Sequence, residues 1–462
     1  MSSIRPADSR RRRNLLAAVT VFALSAASLV GWLVVAPGPG SASGPAREEP
    51  RARLCVTPAI PPSTGPSTGP SSGPSTGPAA GPGWTGAWST AQQRLDGPPV
   101  SGRTLRQLVH PTVGGSALRI RVANTFATTP LWLRAVSVGV SLDRSSPALR
   151  PGTAHAVTFT GGRRLRVPPG GLAISDVIAL PVRYGQTLAV DFSVEKGVAD
   201  TGHARAVQTS YSAAGDHTGE PSGAAFSVPS QSWFWLDGVD VLAGPGAGSI
   251  AVLGDSLTDG TYTTMSADHR WPDVLADRLH RVRGGHRTGV LNAGIGGNRV
   301  TKDTPDCVTP SASGLRRFDR DVLSRSHLRA VIIAEGINDI VAGVPAPTLI
   351  AGLRTLAERA HARGLPVIGA TITPFGCGHG CLSAEREAVR QDVNRWIRTT
   401  PVFDQTIDFD RVVRDPADPQ RLRPSFDHGD HLHLNDAGDA AMGDAFAVLV
   451  ERSILTLSYG QE

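Results

Sequence analysis

The chain has 462 residues, enough for two domains with disordered ends, and its apolar share of 40% is too ordinary for a wholly disordered protein. Its net charge of +6 is gathered at the start, because residues 1–83 hold eight arginines against three acids and leave the remainder close to neutral. That distribution excludes the basic stripe needed to follow a phosphate backbone, so nucleic acid is not an expected partner.

In chain order, Arg10–Arg13 precede a charge-free, mostly apolar run from Leu15 to Ala36. A basic start followed by an apolar core reads as an export signal. The run is also long enough to span a bilayer, and Gly40-Ser41-Ala42 offers a cleavage site. Residues 1–43 are therefore read as a cleaved signal peptide or as a retained anchor that tethers the protein through residues 15–36. Either way the rest is expected outside the cytoplasm, secreted or on the outer face of the membrane, since the basic end stays inside. The stretch 44–83 follows, with repeated Ser-Thr-Gly-Pro units between Pro58 and Gly83. Such a segment buries no core and predicts a flexible spacer.

From 84 to 245 the pattern changes to short β-type runs. Ala117-Leu-Arg-Ile-Arg-Val alternates apolar and polar residues, and Leu133–Val140, Ala156–Phe159, Leu188–Val194 and Trp233–Val241 are similar. Gly, Pro and Asp clusters separate them, which predicts an antiparallel β-sandwich. Trp233 and Trp235 read as sandwich core, with a sugar-stacking platform as the alternative. Ala243-Gly-Pro-Gly-Ala-Gly248 reads as a hinge.

From 249 to 458 strands and helices alternate. Apolar strands are expected at Ile250–Leu253, Val290–Asn292, Arg329–Ala334, Leu365–Ile372 and Thr406–Phe409. Helical spacing appears at Trp271–Val282, Leu349–Arg363, Ala384–Thr399 and Asp436–Leu455. This predicts an α/β domain with a parallel sheet covered on both faces. In such sheets chemistry gathers at the carboxyl ends of the strands.

Four segments lie there. Gly254-Asp255-Ser256-Leu257 follows the first strand, where a serine can project its hydroxyl or merely cap a helix. Asn292-Ala-Gly-Ile-Gly-Gly297-Asn298 follows the second strand. Glu335-Gly-Ile-Asn338-Asp339 follows the third, and Asp430-His-Leu-His433 opens the last helical region. Together, in this order, they resemble the four blocks of the SGNH (GDSL) hydrolase superfamily. The wording around them and the preceding β-domain resemble secreted actinobacterial members, a group that includes enzymes of polysaccharide de-esterification.

The resemblance implies a three-layer SGNH fold and a serine esterase. It makes Ser256 the nucleophile, His433 the base and Asp430 the group that orients the base. It makes the Ser256 and Gly297 backbone N–H groups and the Asn338 side chain the oxyanion donors, with Gly297 preferred to Gly296 because it directly precedes Asn298. Asn298 and Arg299 are expected to face the site and contact substrate, a surface ion pair being the alternative for Arg299. Asp255 and Asp339 are expected in supporting roles. His431 and His428 also neighbour acids but lack the spacing that the family uses.

The chemistry suits these residue types. A serine hydroxyl needs a base, histidine titrates near working pH, and a carboxylate fixes its tautomer. No metal or organic cofactor is implied. Four cysteines in an exported chain suit disulfides, and Cys377 and Cys381 are placed to close a small loop, leaving Cys55 and Cys307. A Cys377/His379/Cys381 metal site is the sharper, less favoured alternative. The expected substrate is an ester, acetyl or another short acyl group on a polysaccharide or glycoconjugate. Two further readings stand beside it: a lipase or aryl-esterase acting on lipid or small-molecule esters, and a non-catalytic cell-wall glycan-binding protein.

Overall fold

A computed structural model describes residues 83–282, 287–304, 310–376 and 383–458. The export run, the spacer and all four cysteines lie outside them, and with these the expected disulfide and the Cys/His/Cys alternative. No helix among the described residues is long and apolar enough to cross a membrane.

The first part is a β-sandwich. One sheet runs, in spatial order, through Trp84–Ser89, Leu236–Leu242, Leu118–Ala123 and Leu172–Ile174. The facing sheet runs through Val228–Ser230, Ser210–Ala214, Arg103–Val109, Leu188–Lys196, Leu131–Val140 and His155–Val157. All of these neighbours pair antiparallel. A small third sheet joins Trp233–Phe234, Thr201–His203 and Gln93–Arg94. The alternation in Leu118–Ala123 shows why the sheets close on each other: Leu118, Ile120 and Val122 point into one apolar core with Val136, Val190 and Phe192. Trp233 and Trp235 are both buried in the described structure, Trp233 donating its indole N–H to the Leu108 carbonyl.

The second part is a five-stranded parallel sheet in the order Thr288–Gly294, Gly248–Gly254, Leu328–Ala334, Val367–Ala370, Gln405–Ile407. Its helices are α1 (Ser256–Asp259), α2 (Trp271–Arg281), α3 (Gly314–Phe318), α4 (Ile337–Val341), α5 (Ala346–His361), α6 (Ala384–Thr399), α7 (Phe409–Val413) and α8 (Asp436–Ser458). Strand residues alternate between two cores. Leu253, Val331 and Ile333 pack with Leu349 and Leu353 of α5 and Val393 of α6. Val252, Ile332 and Ile368 pack with Trp271 and Leu275 of α2 and Phe446 of α8. The layers are thus helix, sheet, helix, the expected three-layer arrangement. The first strand lies between the second and the third, and Gly254, Gly294 and Ala334 end in register. This is the point where an open parallel sheet changes direction and makes room for a site.

The segment read as a hinge does not act as one. The polar face of the four-stranded sheet is buried against the α/β part. Arg119 bonds Asp240 and Ser326, and Arg121 and Arg325 share Asp237. Thr112 Oγ1 accepts from the Val290 N–H at 2.9 Å, and Gly86 N–H donates to Ser326. The short connection thus joins elements that are packed against each other through buried charge.

Candidate active site

The turn that carries Ser256 is set by close packing. Gly254 ends the first strand where any Cβ would fall 2.1 Å from Thr258 Oγ1 and 3.0 Å from the Ala334 carbonyl, so only glycine fits. Asp255 then caps α1, accepting the Leu257 N–H at 3.0 Å. Its role is structural, as expected. The cap starts the helix at Ser256 and leaves the serine hydroxyl at the sheet edge.

Ser256 Oγ lies 2.8 Å from His433 Nε2, and His433 Nδ1 lies 2.6 Å from Asp430 Oδ2. The other Asp430 oxygen accepts the N–H groups of Leu432 and His433 at 3.1 and 2.8 Å. Asp430 and His433 precede α8, which begins at Asp436 where the helical spacing was expected to start. They sit on a tight loop. Asp427 Oδ1 takes the Gly429 and His431 N–H groups, and the His428 N–H bonds back to the His433 carbonyl. His431 turns outward to Asp427 at 2.6 Å. His428 is exposed and stacks on Tyr262 at 4.1 Å between centroids, while Tyr262 meets His433 edge-on at 5.3 Å.

The electrostatics fit a base that is neutral at rest. Burial pushes the His433 pKa down, and its bond and charge pairing with Asp430 raise it only part of the way back; Arg205 and His428 add to the lowering. Burial alone would raise Asp430, but the His433 ring and the two backbone N–H groups hold it below the usual carboxylate range.

Beside Ser256 runs the turn Ile295–Asn298, closed by the Asn298 N–H on the Ile295 carbonyl at 3.1 Å. Gly297 has φ +74°, the left-handed value that the third position of a type II turn requires. Gly296 N–H donates to Asp259 Oδ2 at 3.0 Å. A Cβ on Gly296 would come 4.0 Å from that of Ser256, so the turn borders Ser256. Asn338 joins it from α4, its amide donating to the Asn298 carbonyl at 3.0 Å and keeping its second N–H. Asp339 binds the Val300 and Thr301 N–H groups at 2.7 and 3.0 Å.

One expectation needs correction. Asn298 cannot contact substrate through its side chain. It is wholly buried, donates to Ser311 and Ala312, and accepts from Arg317 Nε at 2.8 Å. Arg299 is half-buried, with an Nε that finds no hydrogen-bond partner among the described residues, and its charge acts to lower the Asp339 pKa against the burial that raises it.

Sequence reasoning missed several residues. Arg317, fully buried, donates to the Ala293 and Gly254 carbonyls and so ties the ends of the first two parallel strands together. Glu335 and Asp255 lie near it in the interior, where burial pushes their pKa values up to about 8 and about 7. Tyr262 holds a left-handed φ of +73°, and His203 and Arg205 arrive from the sandwich. Apart from Asp255, which was expected in a supporting role, none of these carries a local signal, since each acts through a fold-level contact. No cluster of three or more His, Cys, Asp or Glu suited to a metal ion occurs among the described residues.

Residues 252–441 match the GDSL-like Lipase/Acylhydrolase family, the part of the chain that holds the parallel sheet and the Ser256 turn. No curated protein matches the chain. Similar solved structures include the aryl esterase of M. smegmatis, at 21% identity and TM-score 0.37, covering 45% of this chain and 99% of that one. A carbohydrate acetylesterase family member from Sinorhizobium meliloti is 18% identical at TM-score 0.36, covering 44% and 97%. A GDSL-like lipase from Bacteroides thetaiotaomicron is 16% identical at TM-score 0.32, covering 45% and 88%.

Proposed function

We propose that this acylhydrolase-family protein is a serine carboxylic-ester hydrolase with Ser256 as nucleophile, His433 as general base and Asp430 as its orienting group. The observation that carries the reading is the continuous relay from Ser256 Oγ through His433 to Asp430, at 2.8 and 2.6 Å. Neutral His433 takes the hydroxyl proton as Ser256 attacks the ester carbonyl. The tetrahedral oxyanion is met by the N–H groups of Ser256 and Gly297 and by the free amide N–H of Asn338. Imidazolium then gives its proton to the leaving alcohol, and water, activated by the same imidazole, releases the acid.

The substrate we propose is a short acyl ester, acetyl above all, on a polysaccharide or glycoconjugate met outside the cell. A polar rim supports this, with exposed Arg205, Tyr262 and His428 around the relay, as does the export-type start with its spacer. The decisive assay is p-nitrophenyl acetate turnover by the wild type and Ser256→Ala. Loss in the variant is expected, and equal rates would end the assignment. An acyl-chain-length series and acetate release from acetylated polysaccharides then define the substrate; a preference for long chains would favour a lipase.

A further inference from the structure

The β-sandwich sends one side chain into the α/β part beside the site. His203 ends the short strand Thr201–His203. Its Nδ1 faces the Ala91 carbonyl at 2.9 Å, and its Nε2 faces Asp259 Oδ1 at 2.8 Å. Both partners only accept, so both ring nitrogens carry protons and the ring is an imidazolium. The pair is dry, with the side chains 2% and 4% exposed. Burial disfavours the charge on His203, but Asp259 and the Ala91 carbonyl outweigh it and raise its pKa, against the opposing charge of Arg270.

The second oxygen of Asp259 is not idle. It accepts the Gly296 N–H at 3.0 Å, and Gly296 is the residue before Gly297 in the turn that borders Ser256. A single carboxylate therefore joins a charged sandwich histidine to the backbone of that turn. An isolated glycine-rich turn is free to rotate its peptide planes. An oxyanion donor works only if it points at the oxyanion before charge develops there.

We propose that His203 is a positioning residue of the esterase: its imidazolium anchors Asp259, which fixes the Gly296–Gly297 peptides so that the Gly297 N–H faces the oxyanion. This makes the sandwich part of the catalytic apparatus. The proposal rests on the esterase reading above.

The test uses the full chain with His203→Gln, Asp259→Asn and the double variant. Rates are counted per active site from the p-nitrophenol burst, and thermal unfolding is followed in parallel. In His203→Gln the new amide retains a donor for Asp259 but carries no charge and no donor on a second branch. We expect kcat on p-nitrophenyl acetate to fall about ten- to a hundredfold in His203→Gln, short of the 10²–10³-fold loss of a deleted donor. KM is expected to stay within about twofold, because ground-state binding does not use the oxyanion hole. Affinity for phenylboronic acid, which forms a tetrahedral adduct on the serine, is expected to fall with kcat. The double variant is expected to lose no more than Asp259→Asn alone, because the histidine acts through the aspartate. A lowered melting temperature with unchanged kcat per site and unchanged boronate affinity would overturn the proposal, as would additive losses. If His203→Gln does not fold, Asp259→Asn alone decides by the same split between kcat and KM. Failure here with an inactive Ser256→Ala leaves the esterase reading intact, whereas an active Ser256→Ala removes that reading first.

Discussion

Asp430→Asn is the sharpest probe of the relay. The side chain at 430 is held at both ends: one oxygen takes the Leu432 and His433 backbone N–H groups, the other takes His433 Nδ1–H at 2.6 Å. In the variant the amide oxygen must stay on the two backbone donors, since turning the NH₂ group toward them would set donor against donor. The NH₂ group therefore faces Nδ1. A donor there makes Nδ1 the acceptor and moves the ring proton to Nε2, which then points a hydrogen at Ser256 Oγ. The nucleophile keeps its neighbour and loses its base. In the serine-protease triad this tautomer error costs about 10⁴ in kcat, which is about 5.5 kcal/mol of barrier. Steady-state turnover of p-nitrophenyl acetate, corrected for the residual rate of Ser256→Ala, measures it. Because Asp430 works to raise the His433 pKa, the acidic limb of kcat/KM should also move to lower pH. Retention of a tenth or more of wild-type kcat, or a limb that moves upward, would refute the reasoning.

Three further outcomes follow from the same structure. Arg205→Ala removes a cation that lowers the His433 pKa, so the acidic limb of kcat/KM should move to higher pH; the shift should shrink in 1 M salt because the arginine is exposed, and a salt-independent shift would contradict this. Gly297→Ala puts a Cβ on a left-handed residue, costing roughly 1–2 kcal/mol of stability, and should reduce kcat tenfold or more in circular-dichroism-matched samples; unchanged kcat would remove Gly297 from the oxyanion hole. Glu335→Gln should flatten a pH-dependent loss of stability. Burial raises the folded pKa of Glu335 to about 8 from an ordinary 4.5, so this group's contribution to stability is full below about pH 4.5, is lost progressively up to about pH 8, and is level above. The loss is on the order of 4 kcal/mol. Urea midpoints at pH 5 and pH 9 should therefore differ less in the variant than in the wild type, and equal differences would be the contrary result.

What was legible in the sequence is what local pattern controls. The five parallel strands and the long helices follow apolar spacing, and Leu328–Ala334 and Ala384–Thr399 lie where that spacing puts them. The site segments were legible because three of them follow successive strand ends, and all four in order carry the wording that resembles the family's blocks. The start of the last helix at Asp436 was legible, but the shape of the Asp430–His433 loop before it was not, because Asp427 builds that turn from side-chain bonds that periodicity does not register. Asn298 looked like a substrate contact because it adjoins the oxyanion turn. The arginine that turns it inward, Arg317, is nineteen residues away in sequence. The arginines of Leu118–Ala123 showed only as the polar half of an alternation; their acids, Asp237 and Asp240, come from the neighbouring strand, and the docked α/β part adds Ser326 and Arg325. Long-range polar satisfaction is what alternation alone does not encode.

The buried acids beneath the nucleophile belong to the same logic. Arg317 must carry a full charge to tie the Gly254 and Ala293 carbonyls, and it does so with no exposure. An isolated buried cation is costly. Asp321 lies 3.5 Å away and Glu335 3.9 Å away, and Asp255 and Asp339 surround the same region. If all four acids ionised, the field under Ser256 would be strongly negative and would oppose the oxyanion that the donors are built to hold. Burial prevents this by keeping Glu335 and Asp255 largely protonated toward neutral pH, with pKa values of about 8 and about 7. The cation is thus compensated without a surplus of negative charge. As the pH rises to about 8 that protection ends, so if Ser256 is the nucleophile proposed above, activity should fall there together with stability, and less so in Glu335→Gln.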